Sequence, residues 1–467
     1  MVRRLALPQG LPSGPSGSPT PSITLTLATL RLGPALTLPQ PSDSSRKHLA
    51  ASLQCYLQSW PPNPSIPRPH PFLPLLQSDP QAAFQRWARF YGKTYSPAEE
   101  SQRLEAFMAN AARVAAHQAQ NAGASYTLGL NGHADLTTEE FRLRYFGEQP
   151  RDMLALRAAA TAADNGKKSK YFRDWPYGHT VPPAAVDWTA EGMITPVKDQ
   201  HVNGSKCGCC FAFSGVAGIE AANALYTGGD LVTLSEQQIV DCDAYDWGCD
   251  GGSFVDVMRY TIDNGGLVPD AEWPYAAKET VCHRRRERKR AAVTIDYIVN
   301  LPEANETALE QALAHTPTNV AMCCGDFIDA WHLYTGGIFN ESAHCTEPID
   351  HALLAVGYGT EPNGDKFFKI KNSWGAHWGE AGYMKVRRGI ADPKGSNGVA
   401  LMPGYAVKTR DNPRPDAALV VSRARGSGEF LVMLGVGGQG MIFSAGSKTG
   451  VARSTRASPP GCKLRED

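Results

Sequence analysis

The sequence predicts an α+β fold, and three observations carry that expectation. Apolar residues recur at helical intervals in the segments before about Cys282. Short strand-like runs dominate after it: AAVTIDYIV, HALLAVGYG, FFKIKNSW and GYMKVRRG. No apolar run approaches the roughly 18 residues that would argue for a membrane span. The 467 residues are 42% hydrophobic and 20% charged, which suits a globular chain with a full core. At about 150 residues each, roughly three domains fit. Lys+Arg and Asp+Glu are equal at 46 each, so no global field favours nucleic acid or an anionic membrane. The one dense basic run, residues 284–290 (RRRERKR), reads as a solvated loop.

Taken in order, residues 1–80 are rich in Pro, Ser and Gly without sustained periodicity. They read as a low-complexity extension that is disordered, cleaved or a wrongly assigned start. A secretory signal needs an uninterrupted apolar core, whereas the best candidate, residues 23–38, is diluted by threonines and broken by Arg31 and Pro34. The single acid, Asp43, among the first 78 residues also fits an organelle transit sequence weakly. From Gln81 the pattern changes. Phe84, Trp87 and Phe90 at helical spacing predict a short amphipathic helix ending near Gly92. Ser96-Pro97 followed by two glutamates predicts the start of a second. Residues 148–180, Ala-rich and then polar, read as an exposed linker open to cleavage. Residues 208–224 are poor in breakers and place Phe213, Val216, Ala217 and Ile219 at helical intervals, so Cys210 falls at a helix N-terminus. Residues 409–467 carry no motif, and three sequons begin at Asn203, Asn305 and Asn340.

The chemistry is concentrated in CGCCFAFSG around Cys210, IDHALLAVGYG around His351 and KNSWGAHWGEAGY around Asn372. Cysteine, histidine and an amide in that order are the parts of a thiol hydrolase: nucleophile, proton shuttle, and the group that fixes the imidazole's tautomer. A helix N-terminus and an adjacent imidazolium both favour thiolate, so the Cys210 thiol is expected to be strongly acidic. Trp374 and Trp378 are expected to shield the Asn372–His351 contact from water.

These segments resemble the signature of papain-like cysteine proteases. Upstream, Glu99, Arg103, Phe107, Asn110, Val114 and Gln118 resemble the interrupted ERFNIN motif of the family's propeptides, leaning at Val114 and Gln118 toward the ERFNAQ variant. Gly129, Asn131 and Asp135 resemble the second propeptide motif, with His133 where an aromatic is usual. The resemblance implies a two-domain fold, a helical left domain and a β-barrel-like right domain with the cleft between, preceded by a helical inhibitory prodomain. It implies a zymogen of a cathepsin L-like or F-like endopeptidase, with residues 81–147 as prodomain, 148–180 as processing linker and 181–408 as peptidase. Acid would free the cleft through carboxylates such as Asp135. Gln200 would donate to the oxyanion beside the Cys210 backbone N–H. Bridges would pair Cys207 with Cys249 and Cys242 with Cys282, implying an oxidising compartment, the lysosome or vacuole, or the extracellular space. Met402 would form the base of the second subsite, with Ala321, Ile349, Ala352 and Phe254 as walls. Gly251, Gly252 and Trp374 would contact substrate. An apolar base favours Leu, Val or Phe two residues before the cut. No cofactor or metal is implied. The partners are peptide and protein substrates and the chain's own prodomain, with a monomer as the family's usual state.

Several positions depart from the family. Cys209 stands where Ser is usual and reads as a packed thiol; Phe211 replaces a tryptophan; Asn397 stands where the last cysteine would be, leaving Cys345 without its expected partner. Nine residues separate Gln200 from Cys210, more than the family spacing, so Gln200 keeps its place only if residues 201–206 bulge outward. Loss of that donor would cost about 10²–10³ in rate. The insertion also motivates an alternative, an inactive homologue acting as a binding or inhibitory protein. A metal-binding module built on Cys207, Cys209, Cys210, Cys323 and Cys324 lacks any CxxC…CxxC or CxxC…HxxxH spacing.

Overall fold

The structure, a computed structural model, describes residues 73–121, 123–146, 152–164, 169–202, 204–283, 290–340 and 349–413, together with the backbone of strands at 419–423, 430–436, 439–445 and 453–455. All lie in one compact unit, Lys47–Asp467. After a 3-10 turn at Leu73–Leu75, the described residues form a helical hairpin. Helix α1 (Pro80–Phe90) starts where the Asp79 carboxylate accepts the Ala82 N–H, with proline in the first turn, and it buries Ala83, Phe84, Trp87 and Ala88. Phe90, grouped with that apolar face in the sequence, is 51% exposed instead. Helix α2 (Pro97–Gln120) begins with a Ser96/Glu99 capping box and buries Phe107, Asn110, Ala111 and Val114, with Phe107 packed on Phe84 and Trp87 of α1.

The polar members of the first motif lash the following loop to α2. Asn110 Nδ2 donates to the carbonyls of Ala134 (2.9 Å) and Leu136 (2.7 Å). Arg103 grips Glu140 bidentately and also the Asp135 carbonyl. Asp135 accepts from Lys93 Nζ at 2.6 Å and Tyr95 Oη at 2.9 Å. Strand β1 (Tyr126–Leu128) precedes this loop and helix α3 (Thr138–Phe146) follows it.

The stretch 148–180 is not the exposed linker its composition suggests. Helix α4 (Met153–Ala163), capped by Asp152, places Met153, Arg157 and Ala160 in the interior. Alanine-rich sequence is strongly helix-forming, and the i, i+4, i+7 spacing of those three gives it one face to bury. Strand β2 (Phe172–Arg173) then joins a sheet. After β3 (Val186–Asp187) come helices α5 (Cys210–Thr227), α6 (Glu236–Cys242) and α7 (Phe254–Asn264). The strand-rich half holds β4 (Tyr297–Asn300), β5 (Thr318–Met322), β6 (Tyr334–Phe339), β7 (His351–Thr360), β8 (Lys366–Lys371), β9 (Tyr383–Arg387) and β10 (Gly404–Val407), with helices α8 (Glu306–Leu313) and α9 (Ile328–Leu333) between.

The sheet order is β1-β6-β9-β8-β7-β5-β10-β4-β2, with β3 paired to β7. Strand β1 pairs antiparallel with β6 and β2 parallel with β4, so both ends of this sheet are covered by chain that precedes residue 181. Helix α5 crosses beneath the sheet: Ser214 Oγ donates to the Leu353 carbonyl of β7 (2.7 Å), and Asn319 Nδ2 of β5 donates to the Ser214 carbonyl (2.6 Å). One core cluster joins Phe84, Trp87 and Phe107 to Trp331, Trp374 and Trp378; a second surrounds α5. In the tail, where no motif is legible, strands β11 (Leu419–Arg423), β12 (Phe430–Val436), β13 (Gln439–Ala445) and β14 (Arg453–Thr455) pair in sequence as an antiparallel meander.

Candidate active site

Cys210 is the first residue of α5. The segment ahead of it is pinned by the Cys207–Cys249 bridge, and Cys242–Cys282 closes the neighbouring loop. Both expected bridges are therefore present. Cys323 is also disulfide-bonded; Cys345 lies outside the described residues. Asn397 accepts the Cys323 backbone N–H through its own carbonyl at 3.0 Å.

His351 opens β7 and Asn372 follows β8, and strand pairing brings them together. His351 Nε2 lies 2.9 Å from Asn372 Oδ1. The Ser373 backbone N–H also donates to that oxygen, at 2.8 Å, so the amide is oriented with oxygen toward the ring. Nε2 therefore carries the proton, leaving the lone pair on Nδ1, which has no hydrogen-bond partner among the described residues. The ring stacks on Trp374 at 4.7 Å, and Trp378 meets Trp374 edge-on at 4.9 Å, which gives the predicted shield.

Gln200 is fully buried, so the insertion leaves it in the site. Its backbone N–H donates to the Ser373 carbonyl (2.9 Å), and Ser373 Oγ donates to Gln200 Oε1 (2.8 Å). The extra residues leave as a turn: Ser205 N–H returns to the Val202 carbonyl, and Ser205 Oγ accepts from the Val202 N–H. The Gln200 Nε2 donor is already taken, by the Tyr145 carbonyl at 2.8 Å and the Cys207 carbonyl at 3.2 Å. Tyr145 and Phe146 end α3, and no cysteine or histidine pattern in the sequence singles them out. The Phe146 ring packs on His351 at 5.4 Å. Its carbonyl oxygen would stand 2.7 Å from a Cβ at position 208, which explains glycine there.

In this covered proform, burial works against the acidity expected of the thiol. Burial pushes the Cys210 thiol up to about 12, against weaker help from backbone hydrogen bonds, and burial pushes His351 down to about 4, only partly offset by Asn372. In the covered state burial disfavours the charged form of each group, since an ion pair taken out of water loses solvation. Cys209 is a buried free thiol, as expected, hydrogen-bonded to Tyr275 Oη.

The expected subsite residues converge. Met402, Ala321, Ile349, Ala352 and Phe254 are all buried in the core cluster that contains Cys210. Met153 of α4 belongs to the same cluster, and its N–H donates to the Ile349 carbonyl at 3.1 Å. The nearby Asp350 carboxylate is turned to the backbone N–H groups of Cys324 and Gly325. Gly251 has φ +102° and accepts the Trp247 N–H, and a Cβ on Gly252 would collide with the Asp246 carboxylate. Among the described residues no cluster of His, Cys, Asp or Glu could hold a metal ion, and no helix is long and apolar enough to cross a membrane.

A thiol at a helix N-terminus, an imidazole held in one tautomer by an amide, and a leading helical region laid across both define a thiol hydrolase in its proform. Comparison with known proteins agrees. The papain family cysteine protease model matches residues 182–405, and the cathepsin propeptide inhibitor domain (I29) matches residues 84–141. The chain is 37% identical over 342 residues to "Probable cysteine protease RD21B" of Arabidopsis thaliana, covering 72% of this chain and 68% of that protein. It is 36% identical over 320 residues to the "Senescence-specific cysteine protease SAG12" of the same plant, covering 68% and 88%. The solved proform of the ragweed pollen cysteine protease Amb a 11 superimposes with a TM-score of 0.60 at 31% identity, covering 72% of this chain and 97% of that one. The chain belongs to the papain family of cysteine proteases. It is a cysteine endopeptidase made as a zymogen, with its propeptide as intramolecular inhibitor.

Proposed function

We propose that Cys210 is the nucleophile, His351 the proton shuttle, Asn372 its orienting partner and Gln200 an oxyanion donor. The observation that carries this reading is the prodomain carbonyl of Tyr145 on Gln200 Nε2, beside Phe146 on the His351 ring. The inhibitor sits where a substrate carbonyl would sit. Departure of Tyr145 and Phe146 rehydrates the pair, and the α5 N-terminus then favours thiolate with imidazolium. The thiolate attacks the scissile carbonyl, and the oxyanion is held by Gln200 Nε2–H and the Cys210 backbone N–H, one of the helix's unsatisfied first-turn donors. The imidazolium gives its proton to the leaving amine, forming a thioester. Water, deprotonated by the same imidazole, hydrolyses that thioester and returns the free thiolate.

The apolar cluster at Met402 supports a preference for Leu, Val or Phe two residues before the cut, and Met153 would hold that pocket closed in the precursor. We assign residues 81–147 as prodomain, 148–180 as processing segment and 181–408 as peptidase; Val181 is 89% exposed, open to a cleaving protease. The disulfides suit an acidic lysosome or vacuole reached through an oxidising compartment, or the extracellular space. The enzyme acts as a monomer. In the test, the full chain is acidified and exposed to a thiol-directed epoxide and to peptides with Phe or Leu at the second subsite, with Cys210→Ala as control. Labelling at Cys210 with matching hydrolysis is expected. A folded, disulfide-bonded chain that neither labels nor cleaves would establish the inactive homologue instead.

A further inference from the structure

The insertion at residues 201–206 raises a physical question. The two oxyanion donors, on Gln200 and Cys210, are joined by a longer loop than the family spacing, and a longer loop holds its ends less firmly. One side chain spans them. Tyr275 Oη lies 2.8 Å from the Gln200 main-chain carbonyl and 2.9 Å from Cys209 Sγ. A carbonyl only accepts, so the single phenolic proton is committed to Gln200. Cys209 must then donate its S–H to the phenolic oxygen.

The support behind Tyr275 is built with equal care. The next residue but one, Ala277, has φ +53°, a conformation a non-glycine residue keeps only when its surroundings impose it. Gln237 of α6 imposes it. Its Oε1 accepts the Ala276 N–H at 2.8 Å, and its Nε2 donates to the Lys278 carbonyl at 2.8 Å and to Asp241 at 2.9 Å. Tyr275 also meets Phe213 of α5 edge-on at 4.9 Å. The phenol is thus anchored to the helix that carries the nucleophile and to the one beside it.

We infer that Tyr275 is a positioning residue that braces the two arms of the oxyanion hole across the insertion, through the ordered chain Cys209 S–H to Tyr275 O–H to the Gln200 carbonyl. The inference rests on the assignment of Gln200 and Cys210 as oxyanion donors. It gives the unusual Cys209 a purpose: its proton is in use, so the thiol beside the nucleophile is a donor and not a second nucleophile. Burial, which pushes that thiol's pKa up, keeps the proton in place.

The test uses the full chain after acid activation, with active sites counted by epoxide titration. Tyr275→Phe keeps the ring and removes both hydrogen bonds. Its kcat on peptide amides is expected to fall about 5- to 10-fold, the worth of one ordinary hydrogen bond, with KM changed less than about twofold. Affinity for a peptide aldehyde, whose adduct with Cys210 carries an oxyanion, should fall by the same factor. Alkylation of Cys210 by iodoacetamide, which forms no oxyanion, should keep its rate. In a Gln200→Ala background Tyr275→Phe should cost less than in the unsubstituted chain, because one of the two braced donors is already gone. Equal losses in alkylation and hydrolysis, or full additivity with Gln200→Ala, would overturn the brace. Should Tyr275→Phe fail to fold, Cys209→Ala and Cys209→Ser serve instead. The serine variant, which still donates to Tyr275, is expected to lose less kcat than the alanine one, and equal losses would overturn the brace. An unsubstituted chain that neither labels nor cleaves would sink the peptidase assignment itself.

Discussion

Acidification is expected to loosen the prodomain through His332, and the size of the effect follows from what covers that ring. His332 of α9 is fully buried; its Nε2 meets the His133 carbonyl at 2.8 Å, and its ring stacks on Phe141 at 4.5 Å. Both covering groups belong to the prodomain. Burial pushes the imidazole from 6.5 to about 4. A base with a depressed pKa in the docked state leaves docking undiminished above 6.5. Docking then weakens as the pH falls from 6.5 toward about 4, and the loss is constant below. With 6.5 restored on release, His332 alone reduces the docking equilibrium at pH 5 roughly 30-fold, about 2 kcal/mol. His133, buried in the same interface with Nε2 on the Trp374 carbonyl, is pushed down by burial as well and adds to the effect. Asp199 opposes it. Burial raises that carboxyl to about 6, so between about 6 and 3.8 it takes up a proton in the docked state and favours docking. Arg113, Asp135 and Asp329 are the other charges that act on His332. The assay is the rate at which an epoxide reaches Cys210 in the intact full chain from pH 7 to 4, normalised to the matured enzyme. His332→Gln keeps an N–H donor for the His133 carbonyl but cannot charge. Its acid-driven rise in labelling between pH 7 and 5 should shrink by roughly tenfold or more. An unchanged profile would refute the reasoning.

Three further outcomes are expected. Phe146→Ala removes the ring packed on His351 and should let the epoxide label Cys210 in the intact chain at neutral pH, where the unsubstituted chain resists; equal resistance would count against occlusion by this residue. Asn110→Ala strands the carbonyls of Ala134 and Leu136 without their donor and should cost about 1–3 kcal/mol of prodomain stability, read as a lower first transition in thermal unfolding. Met402→Glu places a carboxylate at the base of the apolar cluster and should shift preference from Leu or Phe toward Arg two residues before the cut, measured as a ratio of kcat/KM values.

Much of this was legible because it depends on near neighbours in the chain. Ser96 and Glu99 lie within one helical turn, so their capping box needs no tertiary partner, and the second helix of the hairpin begins where Ser96-Pro97 places it. The propeptide motif lines one helix face, so its members could be picked out by spacing, although not their targets, the carbonyls at 134–136. Residues 153–163 have the composition of a linker, and the burial that makes them a packed helix comes from distant chain, including the Leu301 carbonyl bonded by Arg157. Phe90 fits the apolar rhythm of α1 yet faces solvent, since periodicity marks a face without saying how wide the partner is.

The sequence by itself determined the reactive groups. Their identity resides in single residues, and the order Cys210, His351, Asn372 with the helix-forming run after Cys210 is what led to the proposed thiol-hydrolase site. The tertiary structure alone decided their state. Burial pushes the Cys210 thiol up, while Tyr145 and Phe146, from a helix more than sixty residues upstream in the chain, cover its neighbours Gln200 and His351. Gln200 keeps its place across a lengthened loop because Ser373 and Tyr275, both remote in sequence, hold its backbone. Solvation and position are properties of what surrounds a group, and those surroundings exist only once distant segments have packed together.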